Sequence, residues 1–420
     1  MIRALLIALL FLACVVGTYF WIKSPASQPQ TSSLPVGQEV PSASVPPSSA
    51  AVQNPPPVLS APENTAAVFS ELTDTETARK ELRETYAKAR ELFNKGQFAE
   101  ALVLLRQIEP KDKSVLAAIG YIHYHRRSMD EAIAAFEEAL QHKTANEYNV
   151  RKYLVELYLH KGERTRAKEH LERALAIRHD EQLKALAAWM AREDSAHAGY
   201  VDEKGDRFRI TFDGHAVGHA SRLVLGILDD AYRTIGREMN YYPTKTFTVI
   251  IYTQRDFRDV TRMPEWAGGA YGIRDGIIRI PVRGAEGQEQ LLRRVLFHEY
   301  THALIHTICA TPPLWLNEGL AEYLSGGWSS RTTQKIPLTA LHDNGSFARL
   351  GDVRLVHFAY WESYSAVAYL VERYGMDRIM QLLKNMGSGG DMNRAFTEAL
   401  SISYDELVNT WEPEWKKNRR

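Results

Sequence analysis

Three alanines set the frame for the first half of this 420-residue chain. Ala101, Ala132 and Ala167 recur 31 and 35 residues apart, and each heads the same pattern. Four residues on stand Leu105, Phe136 and Leu171; seven on stand Ile108, Ala139 and Ala174. Gly96 and Gly162 precede the first and last alanine by five. Offsets of four and seven put these side chains on one helix face. A small residue there lets a second helix approach closely, and the large residue one turn on fills the remaining gap. A single helix pair cannot bury such a face alone, so the copies must stack. Residues 75–192 are therefore expected to form an all-α array of helix pairs.

The middle copy carries the pattern most fully. Leu116, Ile119-Gly120, Ala132, Phe136 and Ala139 stand where tetratricopeptide repeats, with a period of about 34 residues, place large, small, small, aromatic and small side chains. The region resembles that family. The resemblance implies a concave surface for a protein or peptide partner. A helical shoulder that only packs on the neighbouring domain satisfies the same pattern, and no residue names a partner.

Ahead of the array, Ala4–Ile22 is an uncharged, mostly aliphatic run flanked by Arg3 and Lys23. At about 1.5 Å per residue it nearly spans a hydrocarbon core. Residues 1–23 are read as an N-terminal transmembrane anchor. The basic N-terminus favours the cytoplasm, which would place the rest in the periplasm of a bacterial inner membrane. A cleaved signal peptide is the competing reading. Phe11-Leu12-Ala13-Cys14 loosely resembles a lipoprotein site, but the residues after Cys14 stay apolar. Residues 24–63 hold ten of the eighteen prolines and nine serines, with Glu39 and Glu63 as the only charges. Such a segment cannot bury a core and reads as a disordered linker averaging roughly 35–40 Å end to end. Lys+Arg and Asp+Glu balance at 51 each, which argues against nucleic acid as a partner. Cys14 and Cys309 cannot build a disulfide framework, and Cys309 reads as a small buried residue.

A second domain is expected over 200–417, and it is α+β. Arg207–Phe212 alternates like a strand, 217–238 has helical period, and Phe247–Tyr252 and Ile277–Val282 read as buried strands. At its centre Leu291–His306 has helical period and contains His298-Glu299-x-x-His302. Histidines four apart sit one turn apart on one face, where two imidazoles fill two sites of a tetrahedral zinc and Glu299 reaches a water between them. That pattern is short enough to arise by chance. What strengthens it is Leu314–Tyr323, a second helical stretch after Pro312-Pro313. Glu318, sixteen residues beyond His302, has room to return a carboxylate to the metal. Glu322, one turn on, can accept the free N–H of a ligand histidine.

His298-Glu299-x-x-His302 followed by Asn317-Glu318-x-x-Ala321-Glu322 is similar to the gluzincin metallopeptidases, the clan of thermolysin and the zinc aminopeptidases. The resemblance covers about residues 200–385. It implies one Zn2+ held by His298, His302 and Glu318, with Glu299 as general base acting on a peptide substrate, and Asn317 and Glu322 orienting the site. It also implies that Gly269, Ala270 and Tyr271, within Gly268–Gly272, form an edge strand lining the substrate. A plain glycine-rich hairpin is the alternative. The continuation Ile273-Arg274-Asp275 lacks the amine-holding glutamate of the aminopeptidases, which favours cleavage within a chain. A tyrosine donating to the oxyanion maps to Tyr364, with Tyr360 and His357 as rivals.

His306 extends the histidine stripe but lacks the spacing of a third ligand; it is read as a residue at the negative pole of its helix. His215 and His219 have no third ligand nearby. Residues 335–417 read as helices closing the cleft, with Trp411 and Trp415 in the core. The sequence thus points to a membrane-anchored zinc endopeptidase served by helical repeats. The alternatives are a repeat scaffold with a degenerate zinc domain, or a zinc hydrolase of a cell-wall component.

Overall fold

The alanines at the repeat positions are where close helix approach requires them: Ala101, Ala132, Ala139, Ala167 and Ala174 are fully buried. The computed structural model describes residues 78–418 apart from 110–112, 142–146, 215–219, 264–266, 282–288, 328–335, 344–345, 351 and 389–390. Helix pairs follow one another as α1 (Ala78–Asn94) with α2 (Phe98–Arg106), α3 (Lys113–His125) with α4 (Met129–Leu140), and α5 (Glu147–His160) with α6 (Arg164–Ile177). A further helix, α7 (Glu181–Ala196), closes the array; its N-cap Asp180 accepts from the amides of Gln182 and Leu183. Gly120 faces Phe136 so closely that a Cβ would lie 2.6 Å from the ring. Gly96 and Gly162 turn the chain between paired helices with φ of 74°. In the middle copy Arg127 occupies that position with φ 63°.

Downstream, five strands form one sheet in the order β1-β2-β3-β5-β4. These are β1 (Tyr200–Lys204), β2 (Phe208–Asp213), β3 (Phe247–Tyr252), β4 (Ala270–Tyr271) and β5 (Ile277–Pro281). β2, β3 and β5 run parallel, and β1 and β4 pair antiparallel at the two edges. Crossovers are made by α8 (Ala220–Glu238) and α9 (Gln254–Thr261). Next come α10 (Glu289–Ile308), α11 (Leu314–Leu324), the short α12 (Ser346–Arg349), α13 (Val353–Tyr374), α14 (Met376–Gly387), α15 (Met392–Leu400) and α16 (Tyr404–Asn418). Trp411 of α16 is buried, as expected. The expected strands and the two central helices form close to their anticipated bounds. β1 was not anticipated, because Val-Asp-Glu-Lys shows no apolar alternation on an exposed edge.

Alternation along β3 and β5 divides the interior in two. Phe247, Val249, Ile251, Ile278 and Ile280 join the core beneath α8 and α10. Ile250 and Tyr252 join the array core, with Ile277 packed against it. The sheet is therefore a middle layer with helices on both faces, which explains why Phe247–Tyr252 is apolar at successive positions.

The expected single-pass inner-membrane placement, with folded domains in the periplasm, is overturned. Among the described residues no helix is long and apolar enough to cross a membrane. The 22-residue α13 carries Arg354, Glu372 and Arg373 on the part of its surface that meets solvent, and a buried Glu362. The run Ala4–Ile22 on which that expectation rested lies outside the described residues, as do the 24–63 linker, Cys14, His215 and His219.

Candidate metal centre

Helix α10 is buried on every side from Val295 to Ile305, and α11 from Leu314 to Glu322. A helix enclosed all round needs no solvent-facing stripe, so polar residues along it must serve one another or a ligand. The chain leaves α10 after Ile308 and re-enters α11 at Leu314, with Pro313 at its N-terminal boundary. That return lays α11 against α10. On its other side α11 meets α13 at Gly319, where a Cβ would stand 2.3 Å from the Ser363 carbonyl oxygen and 2.6 Å from Val367 Cγ2.

Three ligand-type atoms converge between the helices. His302 Nε2 lies 3.0 Å from His298 Nε2, and Glu318 Oε2 lies 3.5 Å from His298 Nε2 and 3.4 Å from His302 Nε2. Edges of about 3.3–3.6 Å are those of a tetrahedron with zinc-type bonds of about 2.0–2.2 Å. Among the described residues, His298, His302 and Glu318 form the one cluster whose atoms could hold a metal ion. The donor set of two imidazoles and a carboxylate fits zinc and leaves one tetrahedral position open.

Neighbouring charges reinforce that fit. Glu322 Oε1 lies 3.2 Å from His298 Nδ1, and Arg294 Nη2 donates to Glu322 Oε2 at 2.9 Å. Arg294, one turn before His298, completes a chain from guanidinium to carboxylate to imidazole, and its place on the helix alone does not single it out. Burial pushes the His298 imidazole down, but Glu318 and Glu322 together hold it up at about 10. Burial likewise raises Glu318, yet the two histidines keep it at about 2. The cluster attracts positive charge, so a metal ion and a proton compete for it.

Glu299 is fully buried; burial raises its pKa, while the two histidines and the Tyr271 backbone amide pull it down. Gly269 lies directly against it: a Cβ there would be 2.8 Å from Glu299 Cγ and 3.0 Å from Oε1. Ala270 and Tyr271 are the short edge strand β4. Tyr271 stacks on His306 with centroids 5.4 Å apart. His306 faces the Ala310 carbonyl through Nδ1, and burial lowers it to about 3. It stands in the last turn of its helix, as expected, with its ring packed on the edge strand. Asn317 is buried beside Glu318 in α11, with its Oδ1 unpartnered.

Tyr364 stacks on Tyr323, and its hydroxyl stands 3.0 Å from where a Gly327 Cβ would be, past the end of α11. Tyr360 is a core residue in edge contact with Phe347. His357, half-buried, is lowered by burial and raised by the Glu322 carboxylate. Cys309 is a free, buried thiol.

Residues 234–417 match the Peptidase MA superfamily, and residues 123–190 match a tetratricopeptide repeat. The second match runs from the last turn of α3 through α4, α5 and α6 into α7. The uncharacterized protein YhcO of Bacillus subtilis (strain 168) is 25% identical over 147 residues, which are 33% of this chain and 45% of that protein. The chain thus spans less than half the length of that relative.

Proposed function

We propose that the chain is a zinc-dependent metallopeptidase that cleaves within peptide chains, with its site in the domain that matches the Peptidase MA superfamily. The observation that carries this reading is the triangle of His298 Nε2, His302 Nε2 and Glu318 Oε2, with edges of 3.0–3.5 Å, beside the buried carboxylate of Glu299. A zinc ion held by those three residues supplies Lewis acidity, acidifying a water towards neutrality and polarising a carbonyl.

The chain's own residues do the rest. Glu299 takes a proton from the attacking water on its carboxylate and returns it to the leaving amine. Burial keeps that carboxylate poorly solvated, which raises its basicity. Glu322 accepts from His298 Nδ1 and so turns Nε2 towards the ligand triangle. Asn317 adds a polar side chain beside Glu318. Gly269, Ala270 and Tyr271 offer a strand edge to an extended substrate, and glycine at 269 lets the backbone approach Glu299. Tyr364, with its hydroxyl beside Gly327 past the end of α11, is proposed to donate to the oxyanion. The repeats are proposed to bring a protein substrate or partner to the domain.

The test compares the wild type with Glu299→Gln on an unfolded protein substrate, with bound zinc measured in both. Cleavage lost with zinc retained supports the reading. Zinc retained in a wild type that cleaves no protein favours a binding scaffold.

A further inference from the structure

We propose that Arg279 is a positioning residue through which the helical array holds the strand edge beside Glu299, an inference that rests on the peptidase reading of the cluster. Strand β4 is two residues long, and among the described residues its only strand partner is β5. Gly269 touches Glu299, and the next residue, Ala270, is the register partner of Arg279. Ala270 also belongs to the array core, with Leu183, Leu186 and Trp189 of α7.

The Arg279 side chain lies on the array face of the sheet and is 3% exposed. Its Nε donates to Glu193 Oε1 of α7 at 2.7 Å, and its Nη2 meets Asp275 Oδ2 in the β4–β5 turn at 2.5 Å. The guanidinium carbon stands 5.3 Å from the centre of the Trp189 ring. Glu193 also accepts from Tyr252 Oη at 2.9 Å and from Arg164 Nη1 at 2.8 Å. Room for the Arg279–Asp275 pair comes from Gly272, where a Cβ would lie 2.3 Å from Asp275 Oδ1 and 2.7 Å from Arg279 Nη1. A second tie is His160 of α5, whose Nδ1 lies 3.3 Å from the Arg274 carbonyl oxygen.

One buried guanidinium therefore links the array, the turn and the ladder partner of the strand edge. A buried charge holds its geometry only while its partners remain. Without Glu193 the turn loses its fixed point on α7, and β4 keeps too few bonds of its own to hold place against Glu299. Misplacement by about 1 Å at a catalytic edge costs about 100-fold in rate. In this view the array is a wall of the site as well as a surface for partners.

The test uses the full chain with Glu193→Gln and Arg279→Met, reading zinc content, amide exchange and steady-state cleavage of a peptide. The expected result is a rise in exchange at Ala270–Ile278 at least about 10-fold larger than any rise at α14 amides, with zinc content unchanged. Alongside it kcat falls at least about 10-fold while KM moves less than about 3-fold. Should both buried variants fail to fold, the exposed His160→Ala decides by the same local exchange, with a smaller expected rise. Unchanged exchange in the β4–β5 hairpin, or an equal rise throughout the domain, overturns the proposal. A wild type that cleaves nothing sinks the peptidase reading alone, because the exchange and zinc readouts still decide the positioning role.

Discussion

Two glycine-to-alanine substitutions should move stability in opposite directions. Gly319 in α11 faces backbone: its added Cβ would stand 2.3 Å from the Ser363 carbonyl oxygen, where ordinary contact begins at 3.4 Å. Helices α11 and α13 must part by about 1 Å to admit it, and overpacking against an atom that cannot rotate away costs about 3 kcal/mol. Alanine returns about 1 kcal/mol of helix propensity, leaving a net loss of about 2 kcal/mol. Gly226 in α8 is exposed, and a Cβ there meets nothing within 4 Å. That substitution should stabilise by about 0.5–1 kcal/mol. Melting in the presence of excess chelator, so that metal binding adds nothing, should show Gly319→Ala lower by about 4–8 °C and Gly226→Ala higher by about 1–4 °C. Because Gly319 adjoins Glu318, the first substitution should also weaken zinc binding, and the second should not. A Gly319→Ala protein that melts at or above the wild-type temperature would refute the close α11–α13 contact.

In the middle repeat, Arg127→Gly relieves a left-handed residue where the neighbouring copies have glycine, and urea melts should show a gain of about 0.5–1 kcal/mol. Glu322→Gln weakens the hold on His298 Nδ1, and chelator competition should show zinc affinity lower by about 10–100-fold. Burial raises Glu193, but Arg279 and Arg164 hold it at about 2, below an unfolded glutamate near 4.5. Its stabilisation is complete above about pH 5 and is lost as pH falls through 4.5 towards 2, by about 3 kcal/mol in all. Denaturant melts from pH 6 to pH 3 should show that slope in the wild type and a flatter one in Glu193→Gln.

The sequence was most readable where function and packing impose a fixed spacing. His298 and His302 announce their shared face by an offset of four, and the repeat alanines announce theirs by four and seven. Phe247–Tyr252 showed that both faces of a strand are covered, but nothing local says by what. The cover on one face comes from α7, more than fifty residues earlier, and the decisive pair Glu193–Arg279 is 86 residues apart. Arg294 looks like any helix-surface arginine until Glu322 arrives from the next helix. A helical tyrosine such as Tyr364 does not say in sequence which way its hydroxyl points, and its stacking on Tyr323 shows only in the fold. The histidine stripe likewise did not reveal that His306 would pack as a neutral ring on Tyr271.

The most direct test of the account is metal content by mass spectrometry of protein purified without chelator and supplied with zinc. The prediction is one zinc per wild-type chain, held tightly, with Glu318→Ala losing most of it and Glu299→Gln losing none. A wild type that takes up no zinc, or a Glu318→Ala protein that holds it as tightly, contradicts the claim that His298, His302 and Glu318 share one ion.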